Sequence, residues 1–466
     1  MLALGSTDRS SHVPAFRLLP FLLLLGCTLP SSLDPGQLPS GPLRYQQVSG
    51  RFGSSKAAWW KSFSDSRLNR DVTRALSDNL AQKQLAARIN QATASLQKEG
   101  AALFPQIDIG GSLDYDSADP GNSGKSASMG SLLAWELDVW GRIRSGVQAR
   151  RLERDAAFQD WLGGRLLLSA AVAETRMIIL EQRAEITVLQ NQIESNTTLL
   201  KLVRARVGQG ISSRVDLLQQ ERQLDATRAR IPSAEADLAA AEYALDVLTG
   251  VAPGARSRDS RATLPELPPL PAAGVPSDLL KNRPDLLAQW NRILALDSEV
   301  AQALADRLPR IAIGASIDRG RFDGIASTIT SLIAEAAMPV VDGGARRAEV
   351  ERRRAQLEEA LAGYSNTYLE AIRDVETALV RERKQAEQIA LTERQLETAR
   401  KTLEETRIRY SQGLSDYLPV IDALTSVQLL ELSIVALHRE ALVLRIGLHR
   451  ALGGPMPQTP PPDFSA

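Results

Sequence analysis

The chain repeats itself once, and that repeat limits what it can fold into more than any other feature. Phe104-Pro105-Gln106-Ile107-Asp108-Ile109 matches Leu308-Pro309-Arg310-Ile311-Ala312-Ile313 at an offset of 204 (309 − 105). Arg206-Val207-Gly208-Gln209-Gly210 matches Arg409-Tyr410-Ser411-Gln412-Gly413 at 203 (413 − 210), and Trp140-Gly141-Arg142 matches Asp342-Gly343-Gly344 at 202 (343 − 141). Three landmarks in one order at nearly one spacing imply two copies of one structural unit. The Pro-rich stretch 264–276 lies between them.

Each copy reads the same way. A helix opens it, near 61–103 and 278–307, and a pair of strands follows. In 106–116, Ile107, Ile109, Leu113 and Tyr115 alternate with Gln106, Asp108, Ser112, Asp114 and Asp116. In 310–318, Ile311, Ile313, Ala315 and Ile317 alternate with Arg310, Gly314, Ser316 and Asp318. Returning strands fall near 126–138 and 327–340, the second alternating poorly. Stretches 143–207 and 344–410 contain no Pro and read as very long helices. In the second, Leu357, Leu361, Tyr364, Tyr368, Ile372, Val375 and Leu379 step by three and four, a coiled-coil seam. Gly210 and Gly413 end these rods, as glycine does where the backbone needs positive φ. Return helices follow near 213–250 and 416–452, with Ser415 or Asp416 as the N-cap of the last.

Period-two alternation over nine to eleven residues suits strands with one face in lipid and one in water; a half-buried soluble sheet alternates likewise. After the N-terminal segment no eighteen consecutive residues are apolar, so membrane crossing would use strands. Four strands cannot close a membrane barrel, whose smallest form has eight, and an open edge in lipid leaves backbone groups unpaired. Strands in lipid would therefore be shared among chains. Three chains supply twelve strands, and the same symmetry gathers the long helices into a tube.

The N-terminus has a secretory pattern. Arg9, His12 and Arg17 precede an apolar run over 18–25, which closes on Leu24-Leu25-Gly26-Cys27. The ending resembles a bacterial lipobox, with Cys27 as the acylated residue. Thr28, not Asp, follows, which implies passage to the outer membrane. Cys27 is the chain's one cysteine, so an intrachain disulfide is excluded. Lys+Arg and Asp+Glu balance at 55 each, which argues against nucleic acid as a partner. The three His are scattered and suggest no zinc site. Residues 119–126 nearly spell a phosphate-binding loop, but Asp119 replaces its first Gly and a strand pattern, not a helix, follows. No catalytic constellation or cofactor motif stands out, so the chain reads as a non-enzyme.

Further segments resemble one family. Trp59-Trp60-Lys61-Ser62-Phe63-Ser64-Asp65 with Leu68-Asn69 resembles the opening motif of TolC-like outer membrane factors, and Arg283-Pro284-Asp285 the opening of their second half. The segments 135–142 and 339–344 resemble their strand-to-helix junctions. Arg409-Tyr410-x-x-Gly413 with Tyr417-Leu418 and Asp422 resembles their periplasmic turn. The lipobox and double Trp are similar to NodT-type lipoproteins of RND efflux systems. The chain then divides into a signal peptide 1–26, a lipidated tether 27–58, a first outer membrane efflux repeat 59–263, the linker 264–276, a second repeat 277–454 and a tail 455–466.

The resemblance implies a mostly α fold with a small β part. It implies a homotrimer with a long α-barrel and a shared 12-stranded transmembrane β-barrel, anchored in outer-membrane lipid and extending into the periplasm. Its partners would be a periplasmic adaptor and an inner-membrane pump of RND type, and its cargo small molecules. Acidic side chains ring the closed entrance in the family; Asp422 falls on a matching position, Pro419 replaces a second, and Asp416 lies one turn away. Gly210, Arg409, Tyr410 and Gly413 would form the turns that meet the adaptor. The outer-membrane component of a type I protein secretion system shares this architecture. A non-conducting periplasmic coiled-coil scaffold is a reading of another class.

Overall fold

A computed structural model describes residues 42, 44–46, 58–118, 122–255, 261–271, 273–322 and 325–456. Cys27, the lipobox and the signal segment lie outside the described residues, as do 119–121 of the loop between the first two strands.

In chain order the elements are α1 (Ser66–Asp78), α2 (Leu80–Gly100), β1 (Gln106–Ala118), β2 (Asn122–Leu137), α3 (Arg142–Gly208) and α4 (Arg214–Leu248). There follow α5 (Leu279–Asn282), α6 (Pro284–Ala305), β3 (Arg310–Phe322), β4 (Ile325–Ala337), α7 (Ala345–Ser411) and α8 (Leu418–Ala451). The two halves thus share one element order. Helices α3 and α7 each run 67 residues, rods of about 100 Å at 1.5 Å per residue. The strands form one antiparallel sheet in the order β1-β2-β3-β4.

Where one opening helix was expected in each half, the chain breaks twice. Asn79 is extended between α1 and α2; its side chain accepts from Ala81 N and Gln82 N, and its amide donates to Leu248 O at 3.0 Å. Pro284 starts α6 after the extended Arg283, because the residue before a proline disfavours the α region. The last helix begins at Leu418, with Tyr417 rather than Ser415 or Asp416 at its N-cap and no side-chain cap bond. Its counterpart α4 starts from a capping box between Ser213 and Asp216. Pro419 stands where a second-repeat Asp216 would stand (216 + 203), so the reciprocal pair cannot form there.

The heptad positions on α7 are all buried, from Leu357 through Leu379. They form one core with Leu286, Ile293 and Val300 of α6. A second core gathers Trp59, Trp60, Phe63 and α1 against the middle of α3 and the end of α8. Averaged over 18 residues, α8 is apolar enough to span a bilayer, with mean hydropathy 1.7, although it lacks an unbroken apolar run. It packs instead along α7 and α3 and buries Gln428, Arg445 and His449.

Both strand-to-helix junctions use the same device. Gly141 and Gly344 precede α3 and α7 with φ of 77° and 87°. Asp138 accepts from Ile143 N and Arg144 N at 2.9 and 2.8 Å, and Asp342 accepts from Gly344 N at 2.9 Å. The structural equivalents are therefore Gly141 and Gly344, offset 203. Trp140 corresponds to Gly343, one residue beyond the match read from sequence.

Candidate functional site

Two regions carry the features expected of a channel: the sheet at one end of the long helices and the turns at the other. Pairing across the sheet runs Ile107↔Leu133, Leu133↔Ala315 and Ala315↔Leu332. Ile109, Leu113, Tyr115, Met129, Trp135, Ile311, Ile313 and Ile317 share that face. The opposite face carries Asp108, Ser112, Asp114, Ser128, Ser316, Asp318 and Glu335. It is knitted by hydroxyls: Ser112 and Ser128 lie 3.0 Å apart, Ser112 donates to Asp114 and Ser316 to Asp318, each at 3.0 Å. The rule is broken at several places: Leu132 of β2 and Ile325, Ile329 and Ile333 of β4 lie on the polar face, the last three as the weak alternation of β4 foretold, and Arg319 and Arg321 of β3 lie on the apolar one.

Among the described residues, no helix packs across either face of this sheet. Leu113 stays 87% and Leu332 88% exposed, and Ile107, Ile109 and Ile329 are exposed as well. Burying such a side chain is worth about 1.5–3 kcal/mol. A soluble half-buried sheet would cover this face, and nothing among the described residues does.

At the far end, α3 and α7 stop in the same Schellman turn. Gly210 N donates to Val207 O at 2.9 Å and Ile211 N to Arg206 O at 2.9 Å. Gly413 N donates to Tyr410 O at 3.0 Å and Leu414 N to Arg409 O at 2.9 Å. The φ angles of Gly210 and Gly413 are 73° and 75°, and an added Cβ would meet nothing within 4 Å. The backbone conformation, not crowding, calls for glycine.

The two turns are tied to each other. The Tyr410 hydroxyl lies 2.6 Å from that of Ser212, and the Arg206 guanidinium sits 4.5 Å over the Tyr410 ring while donating to Ser411 O at 3.1 Å. Tyr417 packs edge-on to Tyr410 at 5.5 Å and donates to Gln220. Burial, then the nearby Tyr410, pushes the Tyr417 phenol well above its ordinary range. Behind it runs a buried amide network: Gln220 Nε2 to Asn196 O at 2.9 Å, Asn196 Nδ2 to Thr227 Oγ1 at 3.0 Å and Gln428 Nε2 to Asn196 Oδ1 at 3.0 Å.

Of the residues singled out from sequence, Tyr410 is buried, whereas Arg409, Gly210, Gly413, Asp416 and Asp422 are exposed. Asp422 shares an exposed stripe of α8 with Leu418, Ser426 and Leu429, spaced three and four apart. Neither the Asp416 nor the Asp422 carboxylate has a partner among the described residues. Exposed Ile211, Val215, Ile408, Leu414 and Leu418 make the tips apolar. Sequence reasoning passed over Arg206, Ser212, Gln220, Asn196 and Gln428. Their signal was present, since Gln192 and Asn196, four apart, interrupt an otherwise apolar helix face, but a polar residue in that phase reads as a solvated flank until its partner is placed.

The near-match to a phosphate-binding loop runs directly into β2, so no helix N-terminus meets it. Trp59 and Asp65 are structural. Trp59 donates to Ser169 at 3.2 Å and stacks on His449 at 5.3 Å, while Asp65 caps α1 and meets Arg176.

The family model described as outer membrane efflux protein matches residues 72–251 and 275–454. The chain is 29% identical over 460 residues to the pyoverdine export outer membrane protein OpmQ of Pseudomonas putida, covering 94% of this chain and 96% of that one. It is 26% identical to nodulation protein T of Rhizobium leguminosarum bv. viciae, covering 93% and 92%. Among solved structures, the outer-membrane channel OprN superposes with a TM-score of 0.81 at 26% identity, over 92% of this chain and 99% of that one. The cation efflux protein CusC gives 0.79 at 23% identity, over 90% and 99%, a likeness of fold. The chain belongs to the outer membrane efflux protein family: it is an outer-membrane efflux channel of the TolC-like kind, the exit component of a tripartite efflux system.

Proposed function

We propose that three copies of this chain form one conduit that carries small molecules from the periplasm to the exterior. The carrying observation is the four-stranded sheet, left uncovered by the described residues, mainly apolar on one face and with hydroxyls and carboxylates on the other. Twelve strands from three chains would close into a barrel with the apolar face in lipid and the polar face around water. The α-helices would continue the wall into the periplasm. Relatives named for pyoverdine export and for cation efflux support a small-molecule cargo.

In this reading Cys27 carries the lipid anchor, and several acyl chains hold it where one would bind only marginally. Asp422, with Asp416 a turn away, would ring the periplasmic entrance in three copies, where clustered carboxylates attract cations. The turns at Gly210 and Arg409-Tyr410-Gly413 would meet the adaptor through their apolar tips, with an RND-type pump beyond. Energy comes from those partners; the chain has no chemistry of its own to perform.

Planar-bilayer recording of the purified, detergent-extracted protein tests the proposal. Discrete single-channel steps from a particle of three chains' mass are expected. A protein that extracts into aqueous buffer as a monomer and never conducts would end it.

A further inference from the structure

The apolar face of the sheet ends in arginines. Arg319 and Arg321 of β3 stand on the same side as Ile313 and Ile317, and both are exposed. Residues two apart in a strand point the same way, roughly 7 Å from each other. Arg319 has Met129 on one side and Thr328 on the other; Arg321 has Ala127 and Ala326. None of these four neutralises a guanidinium. The described carboxylates of the sheet, Asp108, Asp114, Glu136, Asp318 and Glu335, all lie on the opposite face. Neither arginine has a hydrogen bond or ion pair among the described residues. An identical copy of the chain offers no counter-ion on this face either, because its described carboxylates are placed the same way.

The level of the pair follows from the repeat. Gln106 opens β1 opposite Ala134, and Arg310 opens β3 opposite Ala337. β1 thus maps onto β3 at an offset of 204 (310 − 106), so Arg319 stands at the level of Tyr115 and Arg321 at that of position 117. Tyr115 is exposed on the apolar face. Trp135 shares that face and lies one step below the pair Gln106↔Ala134, ten residues from Tyr115 along β1. Ten residues rise about 34 Å, which is about 24–28 Å of height at the 35–45° tilt of barrel strands. The apolar band of a membrane barrel is about 25 Å tall, with aromatic residues along both borders. Tyr115 and Trp135 fit those two borders. Trp135 is on the side of the long helices, so Arg319 and Arg321 belong to the border away from them.

Arginine on a lipid-facing strand is costly in the middle of the band and nearly free at its borders. Two like charges side by side still repel each other. Only an anion from outside the chain can offset that. Such an anion must come on a molecule that also lies against an apolar wall. Phosphate has the right chemistry, since a guanidinium grips it through two parallel N–H···O bonds and its oxygens suffice for two arginines.

We infer that Arg319 and Arg321 together bind the phosphate of a membrane lipid whose headgroup lies in the outer leaflet. This rests on the reading above in which the apolar face meets lipid, and it adds a specific headgroup site. The site belongs to the second repeat alone, because the first has Tyr115 and Ser117 at the equivalent positions. Each subunit therefore carries one site, and a trimer three rather than six.

Lipid retention by the full-length protein tests the site. The purified channel is reconstituted into vesicles of phosphatidylcholine alone, of phosphatidylcholine with lipid A, or of phosphatidylcholine with lipid A stripped of its phosphates. It is then extracted in a neutral detergent and weighed by native mass spectrometry. Lipid A is expected to stay bound at up to three copies per trimer. Retention in the Arg319→Gln/Arg321→Gln variant should fall roughly tenfold, as charge-assisted hydrogen bonds are lost. Arg319→Lys/Arg321→Lys, which keeps the charges and loses the forked geometry, should fall between the two. Lys384→Gln, an exposed change on α7, should retain lipid A as the wild type does. Single-channel recording confirms that each variant is folded. Equal retention of the phosphate-free glycolipid, or undiminished retention by the glutamine variant, overturns the site and leaves the channel reading intact. Binding of inorganic phosphate alone that is lost in the glutamine variant, with no retained lipid, assigns the arginines to a soluble anion and overturns the lipid. A wild-type protein that never enters the vesicles overturns both the site and the membrane reading.

Discussion

Glu242 and Arg445 occupy the same place in the two repeats, 203 residues apart, with opposite charge. Glu242 on α4 accepts from Arg183 of α3, and Arg445 on α8 donates to Glu382 of α7 at 2.8 and 3.1 Å. In each pair the arginine also reaches a backbone carbonyl of the connection between α4 and α5. Arg183 donates to Arg261 O at 3.3 Å, and Arg445 donates to Pro268 O. The reversal leaves each half with one buried arginine that holds a carbonyl of this connection, Arg261 just before the Pro-rich stretch and Pro268 within it.

The Arg445–Glu382 pair is almost fully buried, with side chains 5% and 8% exposed. Removing one partner of such a pair strands the other, at a cost of about 3–5 kcal/mol. Arg445→Met is expected to lower thermal stability by that order and to speed proteolysis within the linker. Arg445→Met combined with Glu382→Leu should recover most of the melting temperature, while linker cleavage stays fast because Pro268 has still lost its donor. Circular dichroism melts and timed digestion read the two effects separately.

His449 makes stability depend on pH. Burial, then the neighbouring Arg445, pushes its imidazole down to about 4 from an ordinary value of 6.5, and its Nε2 has no hydrogen bond among the described residues. The unfolded chain takes up this proton more readily than the folded one. Folding is therefore favoured fully above about 6.5 and loses ground as pH falls toward 4. At about 1.4 kcal/mol per unit the loss approaches roughly 3 kcal/mol per subunit. His449→Phe, which keeps a ring against Trp59, should flatten the decline of melting temperature between pH 7 and 4.5.

Tyr410 joins the two tips through its hydroxyl. Tyr410→Phe removes the bond to Ser212 and keeps the Arg206 contact with the ring, a loss of about 1 kcal/mol. Hydrogen exchange should quicken in both turns, near 206–213 and 409–417, and stay unchanged near the sheet. Faster exchange in one turn alone would mean that the turns are not coupled there.

Gly413→Ala should cost about 1–2 kcal/mol through its left-handed φ alone, since an added methyl meets no neighbour. Gly210→Ala should match it. Gly363→Ala, inside α7 and equally free of neighbours, should instead stabilise by about 0.5–1 kcal/mol. Chemical denaturation of the three variants gives the comparison.

Asp422→Asn should raise single-channel conductance or weaken block by divalent cations, because it removes one carboxylate per subunit from the proposed entrance. Unchanged conductance and block would remove Asp422 from that role. Thermal stability should barely move in either case, as the side chain is exposed and unpaired among the described residues.

Much of this architecture is local in origin and can be read from sequence for that reason. The alternation in β1 and β3, the seam from Leu357 to Leu379 and the glycines ending α3 and α7 each depend on residues within a few turns of one another. The breaks at Asn79 and Arg283 were harder, because Asn79 is held by Leu248, far along the chain. The start of α8 was misread because Ser415 and Asp416 are good caps that the second turn does not use.

Sequence by itself determined the repeat, its element order and the two-faced strands, since chain periodicity alone encodes them. Only the tertiary structure decided that no helix among the described residues covers the sheet, that Trp140 stands where the second copy has Gly343, and that Arg183 and Arg445 grip the connection between α4 and α5. Those facts depend on which surfaces meet across hundreds of residues. Period and propensity say what a segment can become; they carry no information about what it is set against.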